Sequence, residues 1–357
     1  MPSSSEKNIN YIQESKRKQV LYLQNRVANL PGFMKEFFRG MEDQTTLLTR
    51  LGYAYDFSLF FTFLSDNIDK FEKKLLIDFT LNDLTAINAD DIERFMEFLT
   101  YYIRKREGLR IHVQNEDQGK SRKLAAVRSM LLYFYKKGSI PSNPGERVDF
   151  PKIKEKSITR LEIDEAARLL DEVDSGEKLT DKQREYHLRT RTRDLALITL
   201  LLGTGIRVSE CVGIDVGHLD FDICGLKVVR KGGGEAIIYF NSEVEETLAD
   251  YISERMEITP LPGHENALFL SLQNRRITVR AVQNLVNKYS RLVTTLKNIS
   301  PHKLRSTFGT NLYMETGDIY LVAEMLGHSD VNTTRKHYAA SEVDRQRRAA
   351  QQIRLRE

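Results

Sequence analysis

The C-terminal part of the chain holds a tyrosine with two histidines nearby, a set of side chains capable of acid–base or nucleophilic chemistry. His328 follows Gly327 directly, and Tyr338 lies ten positions further on, just after His337. A tyrosine hydroxyl acts as a nucleophile when its surroundings help to remove its proton. A tyrosine at this spacing packs more often than it reacts, so the assignment depends on partners from elsewhere in the chain.

An arginine lies between two predicted helices in the stretch LLGTGIRVSE. The first helix is expected to end at residues 203–205, and the second to begin around Arg207. An arginine near a helix start, where backbone amides are exposed, is well placed to bind an anion such as phosphate. The alternative is a surface arginine in a helix–helix turn.

A second basic pair lies in the stretch SPHKLRSTFGTNLY. Ser300 is a favourable N-cap and Pro301 a favourable first helical residue. His302 and Arg305 then fall on one face of the first turn, where they can bind a phosphate. A cation at a helix N-terminus is mildly unfavourable unless an anion is bound. A phosphate clamp and a solvated first turn are equally consistent with this pattern.

A lysine stands next to a glycine-rich turn in VVRKGGGEAIIYF. Residues 226–231 and 235–240 are predicted strands joined by a three-glycine hairpin loop, and Lys231 ends the first strand. The order differs from the GxxxxGK[ST] pattern of nucleotide-binding loops. Lys231 is either an exposed hairpin lysine or a proton donor that the hairpin carries into a DNA groove.

Taken together, these stretches supply two arginines, two histidines, a lysine and a tyrosine. Transfer of a phosphodiester requires cations on the non-bridging oxygens, a nucleophile, and an acid for the leaving oxygen. A metal ion can replace the cations, but no clustered Asp or Glu in the sequence argues for one. We therefore predict a site without a metal or another cofactor.

The N-terminal half is predicted to be a helical bundle, with helices around residues 10–29, 44–67, 89–106 and 121–137. The segment from Lys120 to Lys137 contains no acidic residue and carries six basic ones: Lys120, Arg122, Lys123, Arg128, Lys136 and Lys137. Such a patch suits a polyanion such as DNA. A solvated helix face is the alternative for this segment taken alone.

The composition of the sequence changes after residue 139, where three prolines occur within thirteen positions. Proline favours an extended linker over a helix, and a capped helix is predicted to start after it, with Thr159 and Glu162 at capping-box spacing. The second half mixes helices with a small antiparallel sheet, so it is predicted to be an α+β domain.

Composition limits the class of protein. A chain of 357 residues, 41% apolar and 29% charged, is long enough for two globular domains. Its longest apolar run, residues 195–202, is far shorter than the roughly 20 residues of a membrane span. The first ten residues lack the apolar core of a signal peptide, and two cysteines make no disulfide framework. These features predict a cytoplasmic protein with no membrane contact.

The order of Arg in TGIRVSE, Lys in VRKGGG, HKLR, LGH and Tyr in TTRKHY resembles the signature of the phage-integrase-type tyrosine recombinases, over residues of roughly 159 to 340. The stretch RKLAAVRSMLLYFYKKGSIPSNP resembles the core-binding domain of the Xer branch. The resemblance implies a mainly α fold with a small antiparallel β-sheet and two domains. We predict an N-terminal extension at 1–30, a helical core-binding domain at 31–150, a linker at 151–158, and an α+β catalytic domain with a C-terminal tail at 159–357.

The resemblance also implies a role for each residue. Tyr338 attacks the phosphorus and becomes a 3′-phosphotyrosine, and Lys231 protonates the departing 5′ oxygen. Religation then needs neither ATP nor metal. Arg207 and Arg305 form a phosphate clamp, and His302 assists them with a hydrogen bond. His328 supports the phosphate or orients the tyrosine. Glu210 lies one helical turn from Arg207, and this spacing predicts that it orients that arginine. Many relatives have Gly-Lys-Gly at the hairpin, whereas this chain has Arg230 before the lysine, and Arg230 is the less favoured choice for the acid.

The implied partner is double-stranded DNA, bound by a homotetramer on two sites, alone or with a paralogous recombinase. Lys120, Arg122, Lys123 and Arg128 are predicted to contact the DNA backbone. Resolution of chromosome dimers at a dif-like site is the first expectation. Integration or excision of a mobile element, relaxation of supercoils by a type IB topoisomerase, and a regulator that no longer cuts DNA are the alternatives.

Overall fold

The computed structural model describes residues 11–106, 109–153, 159–230, 233–327 and 331. The chain divides into two compact units, Met1–Glu155 and Lys156–Glu357. Within the described ranges, none of the helices combines the length and apolar composition needed to cross a bilayer.

The first unit is a helical bundle with one β-hairpin. Its elements are α1 (Tyr11–Ala28), α2 (Met34–Gly40), α3 (Leu47–Asn67), α4 (Leu81–Ala86), α5 (Ala89–Phe98), β1 (Tyr101–Arg106), β2 (Leu109–Gln114) and α6 (Asp117–Lys136). The core is rich in aromatic side chains, whose large apolar area stabilises a small bundle. The fully buried ones are Phe37, Phe57, Phe60, Phe61, Phe95 and Phe134.

The predicted helix over residues 89–106 is wrong in its second half. Helix α5 ends at Phe98, and after Thr100 the chain forms strand β1, which pairs with β2 in antiparallel register. Ile103 keeps the helical spacing of the buried positions before it, yet its side chain is 47% exposed. Aromatic and β-branched residues from Tyr101 to Ile103 favour a strand, and β2 supplies the hydrogen-bonding partner that one segment alone cannot reveal.

The second unit is α+β. It consists of α7 (Ile163–Ser175), α8 (Asp181–Leu188), α9 (Arg191–Thr204), α10 (Val208–Val212), β3 (Leu219–Asp220), β4 (Gly225–Val229), β5 (Glu235–Tyr239), α11 (Ser242–Glu257), α12 (Val279–Val293), α13 (Pro301–Thr316) and α14 (Ile319–Leu326). The three strands form an antiparallel sheet in the order β3-β4-β5. Helix α9 is the central element: it packs against α7, α11 and α13, and Leu197, Leu200 and Leu201 on it are fully buried.

The predicted cap of α7 is also wrong. The N-cap is Glu162, whose backbone N–H donates to Oε2 of Glu165 at 2.8 Å, so Thr159 precedes the helix. Leu161 is 1% exposed, and its backbone N–H donates to Oγ1 of Thr307 at 3.0 Å. This tertiary contact holds the chain before the helix starts. The predicted fold class, mainly α with a small antiparallel sheet, is confirmed.

Candidate active site

Arg207 is fixed by a buried carboxylate one helical turn away. It is the N-cap of α10, and its backbone N–H donates to Oε2 of Glu210 at 2.8 Å. Its guanidinium Nη1 donates to Oε1 of the same carboxylate at 2.9 Å. The Glu210 side chain is 2% exposed and that of Arg207 30%. A buried acid therefore holds an accessible guanidinium, the contact expected of an orienting partner.

Arg305 lies in the first turn of α13, where Ser300 is the N-cap and Pro301 the first helical residue, as predicted. Its side chain is buried, and Nη1 donates to the carbonyl oxygen of Gly205 at 2.6 Å. His302 lies in the same turn and is exposed. The backbone carbonyl of Gly205, at the end of α9, thus accepts a hydrogen bond from Arg305. The chain then continues directly to Arg207, the other predicted clamp residue.

Both arginines also donate to the C-terminal end of α14. Nη2 of Arg207 donates to the carbonyl oxygen of Gly327 at 3.0 Å, and Nη2 of Arg305 donates to that of Leu326. The C-terminus of a helix carries negative partial charge, which attracts cations. Two arginines separated by 98 positions in the sequence are thereby brought to one point, ready to share an anion.

A third arginine, Arg230, reaches the same helix end. Its Nη2 donates to the carbonyl oxygen of Met325 at 3.1 Å, while its Nη1 is buried and has no hydrogen-bond partner in the described part of the chain. The left-handed residue that ends α14, Gly327 with φ of +59°, leaves the space that this guanidinium fills. We name Arg207, Arg230 and Arg305 the arginine cluster. The sequence analysis did not predict this role for Arg230. The one signal for it was that Arg230 stands where many relatives have glycine before the lysine.

Lys231, His328 and Tyr338 lie outside the described residues. Arg230, which precedes Lys231, belongs to the arginine cluster. Gly327, which precedes His328, accepts a hydrogen bond from Arg207. The structure thus brings Arg207, Arg305 and Glu210 together, with His302 in the same turn as Arg305. The roles of the other three residues stay predictions.

All four predicted DNA-backbone residues donate to acceptors in their own unit, and Arg122 and Lys123 do so beside the buried carboxylate of Asp56. Arg122 makes a two-point ion pair with Asp56, with Nη2 at 2.7 Å from Oδ1. Lys123 is buried, and its Nζ donates to Oδ1 of Asn115 at 2.7 Å. Burial raises the pKa of the Asp56 carboxyl, against the opposing charges of Arg122 and Lys123, and lowers the pKa of the Lys123 ammonium. Of this pair, only Arg122 is exposed.

The other two residues are half-buried. Nζ of Lys120 donates to Oγ1 of Thr100 at 2.7 Å. Nη1 of Arg128 donates to the carbonyl oxygen of Val148 at 3.1 Å, and its guanidinium lies 4.8 Å from the centre of the Phe150 ring. Their contact with DNA stays a prediction.

The described ranges contain no group of three or more His, Cys, Asp or Glu side chains arranged to hold a metal ion. Cys211 is buried, Cys224 is half-buried, and neither forms a disulfide.

Comparison with known proteins identifies the family. The model of the phage integrase family matches residues 159–345. Tyrosine recombinase XerC of Caldanaerobacter subterraneus subsp. tengcongensis is 33% identical over 290 residues, which cover 79% of this chain and 75% of that protein. XerC of Thermodesulfovibrio yellowstonii is 34% identical over 256 residues, covering 69% and 81%. XerS of Lactococcus lactis subsp. cremoris is 28% identical over 335 residues, covering 85% and 90%.

Two solved structures share the fold. The site-specific recombinase XerH bound to a palindromic difH substrate has a TM-score of 0.62 at 20% identity and covers 94% of this chain and 88% of that one. A lambda integrase dimer bound to a COC′ core site has a TM-score of 0.59 at 12% identity, covering 84% and 95%. The match to the family model and the XerC relatives show that the chain belongs to the phage integrase family of tyrosine recombinases.

Proposed function

We propose that this protein is a site-specific recombinase that cuts and rejoins double-stranded DNA through a 3′-phosphotyrosine intermediate. The observation that carries the proposal is the convergence of Arg207 and Arg305 on one end of α14. Two guanidinium groups at one point match the two non-bridging oxygens of a phosphodiester, and fixed cations stabilise the charge that develops as phosphorus is attacked.

The chemistry conserves the energy of the broken bond. The hydroxyl oxygen of Tyr338 forms a bond to phosphorus while the bond from phosphorus to the 5′ oxygen breaks, and Lys231 gives that oxygen its proton. The phenol proton leaves to solvent or a neighbouring base, and nearby arginine charge favours the phenolate. A 5′-hydroxyl of another strand reverses the steps. His302 assists by a hydrogen bond, and His328 supports the phosphate or orients the tyrosine.

Arg207 is prepared for this role before DNA arrives. Within the described part of the chain, its guanidinium uses two of its five N–H donors, in hydrogen bonds to Glu210 and Gly327, so others are available to a phosphate. Because Glu210 is buried and already paired, the guanidinium loses little conformational freedom when the substrate binds.

In the cell, we assign the protein to the resolution of chromosome dimers at a dif-like site in the cytoplasm. The XerC and XerS relatives and the difH complex of XerH support this assignment. Four copies would act on two DNA sites, alone or together with a paralogous recombinase. Integration or excision of a mobile element uses the same chemistry and is separated from this role by experiment.

Covalent capture tests the proposal. The purified protein is incubated with fragmented genomic DNA and denatured, and DNA that stays attached is sequenced, with Tyr338→Phe as the matched control. One chromosomal locus captured by the wild type alone supports dimer resolution, and capture at element boundaries supports an integrase. Equal recovery from both proteins contradicts cleavage by Tyr338 and favours a non-cutting regulator. Relaxation of supercoiled DNA without a preferred locus would identify a topoisomerase.

A further inference from the structure

We propose that the β1–β2 hairpin of the first unit enters the major groove of double-stranded DNA. This inference rests on the proposed function, which makes duplex DNA the ligand. The hairpin was absent from the predicted helical bundle, and its strands pair over six positions, from Tyr101 opposite Gln114 to Arg106 opposite Leu109. The exposed apolar side chains of such an element require a reason.

The base of the hairpin is anchored and its outer part is free. Tyr102 is buried, and its ring stacks on Phe98 with the ring centres 4.9 Å apart. Further out, the side chains of Ile103, Leu109 and Ile111 are exposed by 47%, 68% and 41%. The ribbon is therefore held in one place by its base while its outer half presents apolar side chains to solvent.

The charge of the hairpin selects a polyanion over an apolar protein surface. Residues 101–114 contain four cations and one acid, which gives a net charge of 4 − 1 = +3. Arg104 and Arg110 are exposed and lie on different strands. Lysine and arginine bind phosphates, and exposed apolar side chains find a partner in the methyl group of thymine. Duplex DNA offers both kinds of contact in one groove.

The dimensions favour the major groove. Paired strands lie about 4.8 Å apart, and with side chains on both faces the ribbon matches a groove about 12 Å wide, whereas the minor groove is about 6 Å wide. The six residue pairs span about 20 Å at roughly 3.4 Å per residue. Most of that length is available to reach into the groove.

The hairpin is also continuous with the basic helix α6. Nδ2 of Asn115, between β2 and α6, donates to the carbonyl oxygen of Leu99 at 2.8 Å, and Nζ of Lys120 on α6 donates to Oγ1 of Thr100 at 2.7 Å. The first contact joins the two ends of the ribbon at its base, and the second ties that base to the first turn of α6. Arg122, which is paired with Asp56, follows on the same helix with its side chain 52% exposed, so exposed cationic side chains lie on both the helix and the hairpin.

The test measures binding of the full chain to a labelled random-sequence duplex of about three helical turns. Arg104→Ala/Arg110→Ala is compared with wild type and with Lys35→Ala/Arg39→Ala, two exposed cations on α2. Each lost phosphate contact lowers the slope of log Kobs against log salt by about 0.9, so two lower it by about 1.8 and weaken binding about 60-fold at 0.1 M salt. The α2 control retains the wild-type slope, and Arg104→Lys/Arg110→Lys retains most of it.

Unchanged slope and affinity in the alanine variant would overturn the inference, as would an equal loss in the α2 control, which would mean that overall charge is responsible. Loss only of complexes with several protomers, with unchanged binding of the first one, would place the hairpin at a protein contact instead. The thermal unfolding of every variant is measured to establish that each one is folded. Covalent capture of DNA that depends on Tyr338 is measured in parallel. If the wild type captures no DNA, the proposed function is refuted. If the hairpin variant binds DNA normally, only the hairpin inference is refuted.

Discussion

A methyl group added at Gly327 should disrupt the arginine cluster. The Cβ of Gly327→Ala would lie 2.3 Å from Nη1 and 2.7 Å from Cζ of Arg230, and the residue has φ of +59°. The guanidinium has to leave its position, which breaks its hydrogen bond to the carbonyl of Met325. The same change strains the carbonyl of Gly327 that accepts from Arg207, so DNA cleavage falls along with stability.

The expected cost has two parts. An L-residue in the left-handed region costs about 1–2 kcal/mol, and loss of a hydrogen bond from a charged donor costs about 1.5–3 kcal/mol. The free energy of unfolding therefore falls by about 2.5–5 kcal/mol. For a unit of this size each kcal/mol corresponds to about 2–4 °C, so the melting temperature falls by about 5–20 °C.

Thermal unfolding separates the two parts. Gly263 has φ of +84° and no atom within 4 Å of an added Cβ, so Gly263→Ala reports the backbone cost alone. In Arg230→Ala/Gly327→Ala the overlap is gone, and the double variant should lose less than the sum of the single variants. If Gly327→Ala melts no lower than Gly263→Ala, or if the two single effects simply add, the steric reasoning is refuted.

Two further predictions concern buried polar groups of the second unit. Glu210→Gln removes the charge that holds Arg207 and should slow single-turnover formation of the covalent complex by about 10- to 150-fold, with binding of duplex DNA unchanged; a wild-type rate on a denaturing gel would contradict the orienting role. His187 is buried and bonded to Tyr289, and burial lowers its pKa. The unfolded state therefore binds the proton more readily, and the free energy of unfolding should fall as pH drops below about 6.5. Urea unfolding of His187→Gln should show a weaker decline, and identical slopes would exclude His187 as the source.

The sequence predicts the clamp because its signals are local. Ser300 stands at the N-cap and Pro301 is the first residue of α13, so the placement of Arg305 near the start of the helix follows from the local sequence. Glu210 lies one turn from Arg207, and that spacing alone predicts their contact. The helical type of α9 was likewise predictable, because that segment carries its own apolar pattern.

The remaining features depend on contacts between distant segments. Arg230 acquires a role because the end of α14 lies beside it, 95 positions later in the chain. The ion pair of Arg122 requires Asp56, 66 positions earlier. The β-hairpin was missed because Ile103 extends the helical spacing of α5 past the point where pairing with β2 takes over. The periodicity of apolar residues reports the structure of one segment, whereas each of these features depends on a contact between two segments.

The end of α14 has a consequence for the protein before it meets DNA. Its last carbonyl oxygens accept from all three arginines of the cluster, and so they act as a surrogate for the phosphate. Because these carbonyl oxygens already hold the guanidinium groups in place, we expect the scissile phosphate to bind N–H donors that remain, with little further desolvation of the cations. The free-energy cost of bringing three like charges together is met during folding, so the proposed phosphate clamp is assembled before DNA binds.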